Sequence, residues 1–117
     1  ALKLKAISIA LYAFARDYAR RHDIIIADTK FEFGLDNGNL ILIDEALSPD
    51  SSRFWDEKIY KIGESQDSYD KQPVRDWLEA SGWNKEPPAP VLSPDVIEST
   101  RRRYVHAYEV LTGEKLP

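Results

Sequence analysis

The segment Ile26-Ala-Asp-Thr-Lys-Phe-Glu-Phe-Gly34 places three charged residues at alternate positions in an otherwise apolar run. Successive side chains of an extended strand point to opposite faces. Over 24 to 34 a strand sends Ile25, Ala27, Thr29, Phe31 and Phe33 one way, and Asp28, Lys30 and Glu32 the other. An acid, a base and an acid in line on one face need water, ion partners or a ligand. A solvated sheet face is the plain alternative, and the alternation of sign weighs against it.

A second strand is expected from Leu40 to Glu45, after the turn signal Asp36-Asn-Gly-Asn39. Two hairpin registers are open. A two-residue Asn37-Gly38 loop sets Phe31 opposite Asp44 and breaks the apolar face. A three-residue loop sets Phe33 opposite Ile43 and Glu32 opposite Asp44. It gathers Ile25, Phe31, Phe33, Leu35, Ile41 and Ile43 on a dry face and Asp28, Lys30, Glu32 and Asp44 on the other. Burial of the apolar set favours the second register. Glu32 and Asp44 then lie close enough to share a cation. A hard ion such as Mg²⁺ relieves their repulsion and completes its shell with water and phosphate oxygens. Lys30 is placed to meet those oxygens, so the parts of a phosphoryl-transfer site are present.

Around this hairpin, Leu4, Ile7, Leu11, Phe14 and Tyr18 recur at helical spacing and predict an amphipathic helix from residue 2 to about 21. Residues 48 to 53 read as a polar loop. Residues 54 to 68 carry no regular pattern, with Phe54 and Trp55 as anchors. A short helix is expected from Pro73 to Ala80, and an extended linker over 84 to 90. Ser93-Pro94-Asp95 predicts the start of a last helix and Gly113 its stop. Ile97, Thr100, Tyr104, Tyr108 and Leu111 form its apolar stripe, and Arg101, Arg102 and Arg103 are read as solvated. Asp50 and Arg53 follow the second strand, and Lys71 and Arg75 lie four apart. These are further anion-binding candidates.

The fold class expected is α+β, an antiparallel sheet flanked by helices. A length of 117 residues with 43% hydrophobic and 31% charged residues fits one globular domain. A formal net charge of −4 does not suggest a nucleic-acid binder. No apolar run is long enough to span a membrane. With no cysteine there is neither disulfide nor thiolate metal site, which fits the cytoplasm.

The blocks Ala27-Asp-Thr-Lys-Phe-Glu-Phe-Gly34, Ile43-Asp-Glu45, Ser48-Pro-Asp-Ser-Ser-Arg-Phe-Trp55 and Tyr69-Asp-Lys-Gln72 with Arg75, in this order, resemble the SAICAR synthetase family (phosphoribosylaminoimidazole-succinocarboxamide synthases). The closing Arg103-Tyr-Val-His-Ala-Tyr-Glu-Val-Leu-Thr-Gly113 resembles that family's final helix. The resemblance implies an ATP- and Mg²⁺-dependent ligase of purine biosynthesis. It would join L-aspartate to the carboxylate of carboxyaminoimidazole ribonucleotide through an acyl phosphate. It implies a phosphate-contacting, catalytic Lys30, magnesium ligation by Glu32 and Asp44, and a substrate side made of Asp50, Arg53, Lys71 and Arg75. Asp50 is a catalytic candidate as well, and Asp28 is a candidate to orient Lys30. It implies a fold related to the C-terminal lobe of ATP-grasp enzymes. The family's glycine-rich N-terminal lobe has no counterpart here. The chain is therefore expected to be a C-terminal half with little ligase activity alone. A non-catalytic nucleotide- or anion-binding module on the same fold is the alternative.

Overall fold

Ser93 caps the last helix as its sequence dictates. Its Oγ accepts from the Val96 N–H at 3.4 Å, Pro94 opens the first turn with Asp95 beside it, and Gly113 ends the helix at φ 72°. In the computed structural model, which describes all 117 residues, the order is α1 (Leu2–Arg20), β1 (Ile24–Thr29), β2 (Glu32–Asp36), β3 (Asn39–Ile43), β4 (Ser52–Asp56), α2 (Gln72–Ala80) and α3 (Pro94–Thr112). The class is α+β with antiparallel pairing, as expected.

The single long strand expected over 24 to 34 is two strands, broken at Lys30 and Phe31. The sheet is correspondingly two separate pairs, β1 with β4 and β2 with β3. β4 lies where the sequence pattern gave loop and no regular element. Phe54 decides it: at 1% exposure it is fully buried beside Ile24 and Ile26. The register of β1 against β4 slips once. Ile26 faces Phe54, yet Asp28 faces Arg53, so Ala27 is the extra residue of a bulge. Without that slip Asp28 would face Ser52.

The hairpin β2–β3 takes the register that burial had disfavoured. Glu32 faces Ile43, Phe33 faces Leu42 and Leu35 faces Leu40, around the two-residue loop Asn37-Gly38. Both loop residues have positive φ, 49° and 82°, the primed turn that Asn-Gly favours. Burial does not set the register here, because this face of the hairpin is uncovered. Within this chain Leu35 is 76% exposed, and Ile41, Leu42 and Ile43 are exposed too.

The core uses other faces than those expected. Ile24 and Ile26 are buried, whereas Ile25 is only partly so. On α1 the inward positions are Tyr12, Ala15 and Ala19, and the stripe Leu4–Ile7–Leu11–Phe14–Tyr18 lies off them, with Phe14 exposed. Alanines at 15 and 19 let α1 approach β1 closely, and Ala107 of α3 is buried in the same core. The Tyr12 hydroxyl donates to the Ile26 carbonyl at 2.8 Å, and that of Tyr18 to the Leu111 carbonyl at 2.6 Å, tying α1 to β1 and α3. The radius of gyration is 16.9 Å, against about 13 Å for a compact chain of this length. No helix is long and apolar enough to cross a membrane.

The contrast between covered and uncovered faces is measurable. Phe54→Ala is expected to cost about 3–5 kcal/mol. Leu35→Ala in the same chain is expected to stay within about 0.5 kcal/mol. Urea denaturation of the two variants checks this, and equal losses would contradict the burial described.

Candidate functional site

The first cluster forms where β1 gives way to β2 and where β3 ends. Lys30 occupies the break between the strands, and its Nζ donates to Glu32 Oε1 at 2.6 Å and lies 3.8 Å from Asp44 Oδ2. The expected pairing of Glu32 with Asp44 is therefore replaced by Lys30 between the two. Asp44 follows Ile43, which faces Glu32, so an extended chain would turn its side chain away. Its backbone instead is left-handed at φ 62°, which breaks the alternation. The Glu32 carboxylate beside it raises the Lys30 ammonium above its ordinary range, with smaller help from Asp44 and Glu45. Lys30 stays charged at neutral pH.

The second cluster lies on β4 and the segments flanking it. Arg53 faces Asp28 across the bulged pair, and its Nε and Nη2 reach the carboxylate at 2.5 to 3.1 Å. Asp28 was expected to orient Lys30; it orients Arg53. Hydrogen bonding to Arg53 holds the Asp28 carboxyl below the usual range against a smaller opposing effect of burial. Thr29 and Ser52 share a 2.8 Å hydroxyl contact next to this pair. Ser48 shapes the preceding turn: its Oγ accepts from the N–H groups of Asp50 and Ser51 and donates to Glu45. Asp50 so placed accepts from Lys71 Nζ at 2.7 Å, and that ammonium holds its carboxyl low. Arg75, one turn along α2, adds to the same field.

The structure gathers most of the residues singled out from the sequence into two sets of ion pairs, with Arg75 the exception. Lys30, Glu32 and Asp44 form one. Asp50, Arg53 and Lys71 fall in the other, together with Asp28, while the Arg75 side chain makes no hydrogen bond or ion pair. Glu45 follows Asp44 directly and accepts from the Ser48 hydroxyl in the turn that leads to Asp50.

Sequence reasoning missed several participants. Asp70, 6% exposed, is a buried acid that accepts from the Gln72 N–H at 2.7 Å and adds to the field on Arg53. It lay inside a motif but carried no periodic signal. Arg103 is not solvated: its guanidinium grips Asp67 at 2.8 and 3.0 Å. Tyr104, placed on an apolar stripe, reaches Asp50 Oδ1 at 3.3 Å. Tyr69 packs edge-on to His106, and its phenol is pushed up to about 12, chiefly by burial and then by Asp56. Beside Arg53 opens a polar cavity of about 610 Å³ bounded by the 64–70 segment and the start of α2.

Fold and site together define a class: an α+β unit with two antiparallel strand pairs whose Lys30, Arg53 and Lys71 are each ion-paired to a carboxylate. The family model described as SAICAR synthetase matches residues 1–90. A phosphoribosylaminoimidazole-succinocarboxamide synthase of Syntrophobacter fumaroxidans is 54% identical over 97% of this chain and 38% of its own length. A solved SAICAR synthase from Saccharomyces cerevisiae, complexed with SAICAR, superposes with a TM-score of 0.83. It is 51% identical and the match covers 95% of this chain and 38% of that one. A SAICAR synthetase in complex with ADP gives a TM-score of 0.68 at 31% identity, covering 98% of this chain and 39% of that one. The chain belongs to the SAICAR synthetase family. It spans about two fifths of the length of the curated relatives it matches.

The two depressed carboxyls give a pH prediction. A carboxyl lowered in the folded state stabilises the fold above its unfolded value, and that contribution is lost as pH falls through the folded value. For Asp28 and Asp50 the loss lies below about pH 4. In carboxyl titrations followed by NMR, Arg53→Met is expected to raise the midpoint of Asp28, and Lys71→Met that of Asp50. Unmoved midpoints would show that these ion pairs do not form.

Proposed function

We propose that residues 1–117 form the C-terminal, metal- and substrate-binding part of an ATP-dependent ligase. That ligase joins L-aspartate to the carboxylate of carboxyaminoimidazole ribonucleotide, giving SAICAR in purine biosynthesis. The observation that carries the reading is Lys30 held between Glu32 and Asp44 in a chain of this family. In the proposed reaction the substrate carboxylate takes the γ-phosphoryl group and ADP leaves. The aspartate amine then attacks the acyl phosphate, an amide forms, and inorganic phosphate and a proton are released.

The donor set fits Mg²⁺. Two carboxylates converge on one ammonium, and no third His, Cys, Asp or Glu completes a protein-only cage. Such a pair suits an ion that keeps water and takes phosphate oxygens. Glu32 and Asp44 would hold it, and when bound it supplies charge neutralisation on the phosphoryl group. Lys30 contacts phosphate oxygens under this reading. Arg53, Lys71 and Arg75 bind the anionic imidazole nucleotide, and Asp50 holds the Lys71 ammonium in position for it. The exposed apolar residues Leu2, Ile9 and Phe14 of α1 and Leu35 of β2 offer the surface on which an ATP-binding lobe would pack. The compartment proposed is the cytoplasm.

The test uses a full-length enzyme carrying this segment, with ATP, Mg²⁺, aspartate and the imidazole carboxylate. Glu32→Gln and Asp44→Asn are each expected to lower the rate by orders of magnitude. ADP release that ignores aspartate and accepts other amines instead would sink the reading. The solved relative in complex with ADP supports a second reading, a nucleotide-binding module without catalysis. Magnesium-dependent ADP binding by these 117 residues alone, read by calorimetry, would favour it.

A further inference from the structure

α3 touches the site through two consecutive residues. Tyr104 donates its hydroxyl to Asp50 Oδ1 at 3.3 Å, the same oxygen that accepts from Lys71 Nζ at 2.7 Å. Arg103 turns to the other side. It spreads both terminal nitrogens over Asp67 at 2.8 and 3.0 Å, and one of them also donates to the Ser68 carbonyl. Its side chain is only 23% exposed, unlike Arg101 and Arg102 on the same turn. A forked guanidinium fixes a carboxylate in direction as well as distance.

The two contacts restrain segments that carry no regular structure of their own. Residues 44 to 51 form the turn that delivers Asp50, and residues 60 to 71 run as loop apart from one bridge of Ser68 to Trp55. Asp67, Ser68 and Asp70 line the polar cavity together with Arg53. Ser68, 5% exposed, has a buried Oγ with no hydrogen-bond partner. α3 itself is anchored independently, by Ala107 in the core and by the Tyr18 bond to Leu111.

We infer that Arg103 and Tyr104 are positioning residues of the substrate side: Tyr104 fixes Asp50 and through it Lys71, while Arg103 fixes the Asp67–Ser68 wall of the cavity beside Arg53. Neither touches the metal cluster. Their loss therefore changes how the substrate is held while the handling of ATP stays the same. The inference rests on the ligase reading.

The experiment is steady-state kinetics on the full-length enzyme carrying this segment, with Tyr104→Phe, Arg103→Gln and Arg103→Lys, each with its melting temperature. Removing one hydrogen bond is expected to raise KM for the imidazole nucleotide about three- to tenfold in Tyr104→Phe, with KM for ATP nearly unchanged. Arg103→Gln is expected to raise KM for the imidazole nucleotide or for aspartate by at least as much. Arg103→Lys, which keeps the charge and loses the fork, restores only part. An independent readout is the Asp50 carboxyl, whose NMR midpoint is expected to rise in Tyr104→Phe. An active wild type with all KM values unmoved in the variants, or with only the melting temperature lowered, overturns the inference alone. A wild type without aspartate-dependent ADP release overturns the ligase reading and this inference with it.

Discussion

The pairing of β1 with β4 is the contact on which the site depends. Two strands joined by 22 intervening residues meet through Ile24, Ile26 and Phe54, and this apolar anchor holds the pair against α1. The bulge at Ala27 then changes parity along β1. Before it, alternate residues serve the core; after it, Asp28 meets Arg53 and Thr29 meets Ser52. One extra residue thus turns a core strand into a platform for charge. It also sets where the chain leaves β1, and so places Lys30 in the break before the hairpin.

The charged residues were legible in the sequence because chemistry, more than geometry, marked them. Lys30, Glu32 and Asp44 do converge, although the register that was meant to bring them together is not the one formed. The hairpin follows its Asn-Gly turn, which moves Asp44 one place out of line with Glu32, and the left-handed backbone at Asp44 turns its carboxylate back. No pattern of alternation could show that. A single positive φ at an aspartate is a local property whose cause lies in the contacts around it.

Helix positions and caps were also legible, since Ser93, Pro94 and Gly113 act within a few residues. The buried faces were not. Helical spacing alone picked Leu4, Ile7, Leu11, Phe14 and Tyr18 as the core side of α1, but the smaller Ala15 and Ala19 face the strands. A periodic stripe reports which residues avoid water, not which neighbour covers them. β4 escaped notice for the related reason that Ser52-Arg-Phe-Trp-Asp56 has one core residue flanked by polar ones, too short a pattern to separate from loop.

Under the ligase reading, an anionic ligand binds along a strip where Lys30, Arg53 and Lys71 each already have a carboxylate partner. Lys30 rests on Glu32, Arg53 on Asp28 and Lys71 on Asp50, and each of these side chains is about half exposed or more. Exposed ion pairs are screened and weak. They restrain long side chains that would otherwise sample many rotamers, which lowers the ordering cost when a ligand arrives. They do not hold the cation so tightly that a phosphate or carboxylate cannot compete. Buried pairs would give the same order with a large penalty on exchange. The strip therefore combines a rigid apolar anchor under β1 and β4 with a surface layer of exchangeable charges, and the second depends on the first for its geometry.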